Sequence, residues 1–216
     1  RLRSTLRNTG TAAAILNRVA LLEASGEGAP ISFAKRFEAV RVLEQGNYWG
    51  RVSPLVAPKQ DSAKGSGEPA GAVEAQHHAS DFFSVVYDRD ARRAFLAGFE
   101  TSERWIGRIE LSADAAGTVT NWRAGFDGGD LRVDPNEAIP LETLLLLEGP
   151  DPWALMETYA DLVRDRFPVS LPEQPPVSWC SWYPYRLGVT EDRILETARI
   201  GAARLKPLGL RIIEID

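Results

Sequence analysis

Hydrophobic and polar residues do not keep one period along this chain. Over residues 2–6, 40–43, 83–87 and 119–122, β-branched and aromatic residues cluster in runs too short for helices. The Asp-rich turn at 88–90 separates the run 83–87 from the run 94–99 by only a few residues, which predicts a hairpin. Residues 105–111 and 143–147 supply two more strands. The segment 12–24 is apolar enough for either helix or strand, and the turn residues at 8–11 before it favour a strand. Many short strands joined by Gly, Asp and Asn turns predict a β-sandwich rather than a parallel sheet. Residues 58–80 are rich in Lys, Gln, Ser, Gly and Glu, and they predict a long exposed loop.

The period changes at Gly149-Pro150-Asp151-Pro152. Asp151 suits an N-cap and Pro152 the first helical position, and Trp153, Met156, Tyr159, Val163 and Phe167 then recur at helical spacing. The helix is expected to end near Pro168. Pro172, Pro175 and Pro176 make a stiff connector, and beyond it the pattern reads strand, helix, strand. The first of these strands covers 177–183. Thr190 caps the helix, with Glu191 and Asp192 in its first turn and Ile194, Ala198, Gly201 and Leu205 on one face. Pro207 and Gly209 close it before a mostly apolar, buried strand at 210–216. The predicted organisation is mainly β: a β domain over 1–150, a helical linker and Pro-rich connector over 151–175, and a βαβ unit over 176–216.

Composition narrows the classes of function. At roughly 150 residues per domain, the 216 residues make about one and a half domains. Hydrophobic residues at 44% and charged residues at 25% fit a folded globular chain. Lys and Arg total 25 against 30 Asp and Glu, a formal charge of -5, and no basic tract is present, which excludes nucleic acid as a partner. The longest apolar run, Leu144 to Leu147, falls far short of the roughly 18 residues that span a bilayer, so no membrane partner is expected. The single cysteine, Cys180, rules out an intrachain disulfide and an all-cysteine metal site. It leaves the compartment open, with the cytoplasm as the default. The chain begins at Arg1 without an initiator methionine, so the start of the gene product is expected to precede it and targeting is not legible.

Several motifs invite chemistry and are better explained without it. Adjacent histidines diverge in a strand, so His77 and His78, with Asp81 nearby, are expected to be solvated loop residues rather than metal ligands. Asp127-Gly128-Gly129-Asp130 lacks the ligand spacing and closing glutamate of a calcium loop and reads as a turn. Cys180 has no histidine base nearby, which leaves it as a small buried residue. Trp105, Trp122 and Trp153 sit in apolar patterns and are read as core.

The combination Trp179-Cys180-Ser181-Trp182-Tyr183, Val189-Thr190-Glu191, Leu205-Lys206-Pro207-Leu208-Gly209 and Ile215-Asp216 resembles the opening of the catalytic barrel in glycoside hydrolase family 36. That family holds α-galactosidases (melibiases) and raffinose-type enzymes. The resemblance implies an N-terminal β-supersandwich, a helical linker and the first βαβ unit of a (β/α)8 TIM barrel. A closed barrel takes about 250 residues, so the barrel is expected to be truncated here.

The family's two catalytic aspartates lie on later barrel strands, so the resemblance assigns no catalytic residue to this chain. It does assign part of the sugar-binding wall. Asp216 matches the first of a pair of aspartates that bind galactose hydroxyls, as an ionised carboxylate at a strand end can accept two such bonds. Trp182 and Tyr183 match the aromatic pair at the end of the first strand, whose faces pack on a pyranose. Trp49, within Gln45-Gly46-Asn47-Tyr48-Trp49-Gly50, matches a tryptophan that reaches the pocket from the β domain, and Trp179 is read as packing.

The activity implied is retaining hydrolysis of terminal α-galactosides of the melibiose and raffinose type. It requires no metal or organic cofactor and uses two carboxylates about 5 to 5.5 Å apart. The resemblance also implies a homo-oligomer. Two alternatives stay open at this point: a raffinose-synthase-like galactosyltransferase and a non-catalytic carbohydrate-binding β-sandwich.

Overall fold

The computed structural model describes residues 1–25, 36–46, 50–58 and 73–216. The chain divides into two compact units, Arg1–Phe167 and Pro168–Asp216. Among the described residues, no helix is long and apolar enough to cross a membrane.

The first unit is built from strands β1 (Thr5–Arg7), β2 (Ala14–Ser25), β3 (Val40–Gln45), β4 (Gly50–Pro54), β5 (Ala57–Pro58), β6 (Val73–Glu74) and β7 (Gln76–Asp81). There follow β8 (Phe83–Asp88), β9 (Arg93–Phe99), β10 (Gly107–Ala113), β11 (Val119–Val133), β12 (Ala138–Pro140), β13 (Leu144–Gly149) and helix α1 (Pro152–Arg166). A five-stranded sheet has the order β13-β9-β8-β3-β4 and a four-stranded sheet the order β2-β11-β10-β7. Both are antiparallel throughout. The ambiguous segment 12–24 is therefore a strand, and 88–90 is the hairpin turn between β8 and β9.

One apolar cluster joins Val40, Val42, Val86, Ala97 and Phe99 of the larger sheet to Ile109, Leu111, Val119, Trp122 and Ala124 of the smaller. The sheets thus bury one face each against the other, as in a sandwich. The outer face of the larger sheet is apolar as well. Val85, Ala94 and Leu96 pack there with Leu155, and Met156 and Tyr159 of α1 complete the layer. This double cover explains why Val85 and Val86, neighbours on opposite faces of β8, are both buried. Asp151 caps α1 by accepting from the Trp153 amide at 2.9 Å, with Pro152 at the first position, as its sequence predicts.

Three expectations for this unit are corrected. The predicted loop 58–80 contains β6 and β7, and residues 59–72 lie outside the described residues. Strand β7 escaped notice because its buried positions are His78 and Ser80, so alternation of burial is not alternation of hydrophobicity. His78 is accordingly a buried strand residue instead of a solvated one, although His77 is exposed. Trp153, read as core, is 72% exposed, whereas Trp122 is buried as expected. Trp105 precedes β10 and stacks on Phe126 at 4.5 Å.

The second unit is a βαβ element. Strand β14 (Val177–Cys180) pairs in parallel with β15 (Leu210–Glu214). Between them run the short helix α2 (Trp182–Tyr185) and helix α3 (Glu191–Ile200). Thr190 caps α3 by accepting from the Arg193 amide. Gly209 ends the helical segment in the left-handed region at φ 107°, which a side chain would resist. Two further expectations change. The first strand stops at Cys180, not at Tyr183, because the chain becomes helical at Ser181. The segment 210–216 is expected to be buried, yet Ile212 in β15 and Ile215 just beyond it are exposed, the strand pairing with β14 in a two-stranded sheet.

Candidate functional site

The C-terminal ends of β14 and β15 carry the residues that the sequence singles out. Immediately after β14, Ser181 takes helical angles (φ -72°, ψ -24°), and Trp182 and Tyr183 follow in α2. Just beyond β15 lies Asp216. Two hydrogen bonds tie these ends together: the Asp216 amide donates to Ser181 Oγ at 2.9 Å, and Ser181 Oγ donates to the main-chain oxygen of Asp216 at 3.1 Å. The Cys180 thiol lies 3.9 Å from Asp216 Oδ2 and donates a weak hydrogen bond to it.

Trp182 therefore directly follows Ser181, whose hydroxyl is bonded to the main chain of Asp216. Trp182 is 44% exposed and Tyr183 85%, while the Asp216 side chain also faces solvent. In α2, Trp182 and Tyr183 are successive helical positions, about 100° apart around the axis instead of on opposite faces of a strand. Trp179 has a packing role: its ring meets Tyr185 edge-on at 5.8 Å, and the Tyr185 hydroxyl is 3.0 Å from that of Thr197 on α3. Trp49 lies outside the described residues.

Chemically, the edge offers an exposed carboxylate that accepts hydroxyl hydrogen bonds and an indole and a phenol able to cover C–H surface. It is an open surface. The recess of about 500 Å³ in this unit is lined by Gly201, Ala202, Lys206, Leu210 and Ile213, among others, and includes none of the three candidate residues. No group of three or more His, Cys, Asp or Glu able to hold a metal occurs among the described residues.

A second concentration of charge, missed in the sequence, sits between the sheets of the first unit. Glu44 is 4% exposed and accepts from Arg51 Nε at 2.8 Å, Ser53 Oγ at 3.0 Å and the Ala79 amide at 3.3 Å. His78 Nδ1 approaches the same carboxylate at 3.5 Å, and its Nε2 lies 3.0 Å from the Leu55 carbonyl. Burial would push the Glu44 carboxyl up, but the bond from Arg51, the charge of His78 and the Ser53 hydroxyl hold it below the usual range. The signal was present in the alternation Val40, Val42, Glu44, which places a carboxylate at an inward position. This cluster ties β3 of one sheet to β7 of the other. With the Glu44 carboxylate bonded to Arg51, Ser53 and the Ala79 amide, it acts as a structural clasp.

Glu142 has a comparable role. It accepts from the amides of Arg104 at 2.8 Å and Trp105 at 3.2 Å, holding the segment that leads into β10. Again burial raises its carboxyl, and the Thr101 hydroxyl with three backbone amides outweighs that effect and lowers it.

No family model matches the chain. The fold is similar to the crystal structure of the alpha-galactosidase from Lactobacillus brevis, at 12% identity and a TM-score of 0.54, over 98% of this chain and 27% of that one. At that identity the likeness is one of fold, and this chain spans little more than a quarter of the length of the protein it matches.

Proposed function

We propose that this chain forms the β domain and the opening of the catalytic barrel of a retaining glycoside hydrolase that removes terminal α-galactosyl residues from melibiose- and raffinose-type oligosaccharides. The observation that carries the reading is the joining of Asp216 and the Trp182–Tyr185 turn through Ser181 at the C-terminal edge of a parallel βαβ pair. In α/β barrels, substrates meet the ends of the strands at that edge. The fold likeness to an alpha-galactosidase, which runs from the sandwich through the βαβ unit, supports the same assignment.

In this reading Asp216 accepts hydrogen bonds from two sugar hydroxyls and so selects their stereochemistry. Trp182 and Tyr183 present apolar faces to the pyranose ring. Nucleophile and acid/base belong to later barrel strands of the gene product. One carboxylate displaces the aglycone to form a glycosyl ester while the other protonates the leaving oxygen, and water then attacks with the second acting as base. No metal or organic cofactor enters these steps.

The test is kinetic and stereochemical. The full-length gene product should hydrolyse an aryl α-galactoside with retention of anomeric configuration, read by NMR of the first-formed sugar. The 216-residue chain by itself should not. Turnover by the isolated chain would overturn the assignment of catalysis to later strands, and an inactive full-length product would overturn the whole reading.

A further inference from the structure

We infer that Ser181 is the positioning residue of the proposed sugar-binding wall, holding Asp216 and the turn that carries Trp182 and Tyr183 in a single register. The inference rests on the assignment made above for Asp216. Its physical basis is independent of that assignment.

Ser181 is 0% exposed, and Gly201 is the other buried residue of the second unit. A polar residue is thus the most buried side chain in a unit whose apolar residues are largely at the surface. All its polar groups are engaged. The amide donates to the Glu214 carbonyl at 3.0 Å, and the carbonyl accepts from the Tyr185 amide at 3.0 Å. The hydroxyl accepts from the Asp216 amide at 2.9 Å and donates to the Asp216 main-chain oxygen at 3.1 Å. A hydroxyl meets this demand because it donates and accepts at one atom.

The topology explains why such a residue is needed. Parallel strands have no hairpin to align their ends, and β14 and β15 are linked only through the intervening helices. Their ladder is irregular at its start, where the register shifts between Val177 and Ser178. At the other end the main chain of Ser181 extends the ladder by one bond, to Glu214. The side chain then continues it to Asp216, past the point where β14 has already turned into α2. Alanine at this position would remove both bonds that hold the main chain of Asp216 to Ser181. The carboxylate would then be presented from a loosened backbone, and contacts to a ligand depend on such preorganisation.

The experiment compares Ser181→Ala and Ser181→Thr with the parent in the full-length gene product. It uses two readouts, amide hydrogen exchange around Asp216 and steady-state kinetics on an aryl α-galactoside. Ser181→Ala should accelerate exchange of the Asp216 amide about tenfold and lower kcat/KM about tenfold, mainly through KM. Ser181→Thr retains the hydroxyl and should restore protection and most of kcat/KM, which a loss of global stability would not do. Unchanged exchange in Ser181→Ala overturns the positioning role whatever the kinetics. Faster exchange with a parental KM overturns its link to sugar binding. Absence of turnover in the parent refutes the proposed function and leaves the exchange result to decide the positioning role alone.

Discussion

The ring of Tyr159 rests against Gly98. A Cβ built on Gly98 would lie 2.7 Å from Tyr159 Cε2 and 2.9 Å from Phe83 Cβ, and the Tyr159 hydroxyl donates to the neighbouring Phe99 carbonyl at 2.6 Å. Helix α1 thus docks on the larger sheet where one strand residue lacks a side chain. Gly98→Ala should lower stability by about 1–3 kcal/mol through overpacking, measured by urea denaturation with an unchanged slope. A variant as stable as the parent would show that the helix can withdraw at no cost.

Tyr159 also sets an alkaline limit. Burial pushes its phenol up to about 12, from an ordinary value of 10.0. A group raised in the folded state stabilises fully below its unfolded value and loses that contribution as pH climbs through the folded one. The parent should therefore lose stability between about pH 10 and pH 12. In Tyr159→Phe the part of that loss due to this group should vanish, at a cost near neutrality of about 1 kcal/mol for the missing hydrogen bond. Identical alkaline slopes in the two proteins would refute the assignment.

Acid acts through the opposite sign. Glu44, Glu110 and Glu142 all lie below their ordinary 4.5 because donors from Arg51, Arg123 and the Thr101 hydroxyl, respectively, overcome burial. Depressed carboxylates contribute stability that is present above the unfolded value and lost as pH falls through the folded one. Stability should decline as pH drops below about 4.5. Glu44→Gln should flatten part of that decline and cost about 1–3 kcal/mol at neutral pH. An acid limb as steep in this variant as in the parent counts against the clasp.

Two tryptophans test the layer assignment. Trp122 lies in the sandwich core, 6.1 Å edge-on from Phe95, whereas Trp153 projects from the first turn of α1. Trp122→Ala should cost about 3–5 kcal/mol, and Trp153→Ser should stay within about 0.5 kcal/mol of the parent. Comparable losses in both would mean that the outer face of α1 is covered.

Asp216→Asn keeps the shape of the side chain and removes its charge. On the proposed reading, KM of the full-length gene product for an aryl α-galactoside should rise about tenfold or more, since hydrogen bonds to charged groups are worth about 1.5–3 kcal/mol. Thermal stability should hardly change, because the carboxylate is exposed. A parental KM would remove Asp216 from the sugar-binding wall.

Much of the fold was legible because it follows from local rules. Asp151 and Thr190 are capping residues at the positions their side chains predict, and the hairpin across 88–90 follows from a short polar turn between apolar runs. Strand β7 was not legible, since its inward residues, His78 and Ser80, are polar and owe their burial to partners far along the chain. Trp153 shows the converse, as a helical apolar period does not say where the covered stripe stops. At the candidate site, the aromatic and acidic residues could be named from their motif. Ser181 could not, because a lone hydroxyl among aromatics carries no pattern.

The sequence by itself determined most of the elements, the caps of both long helices, the change from β to βαβ organisation and the residue types at the strand ends, because these depend on neighbours a few positions apart. Only the tertiary structure decided which polar residues are inside and what they hold. Glu44 meets His78, and Ser181 meets Asp216, across 34 and 35 positions of chain. No local preference encodes such meetings. They arise from the packing of two sheets in one case and the pairing of two parallel strands in the other.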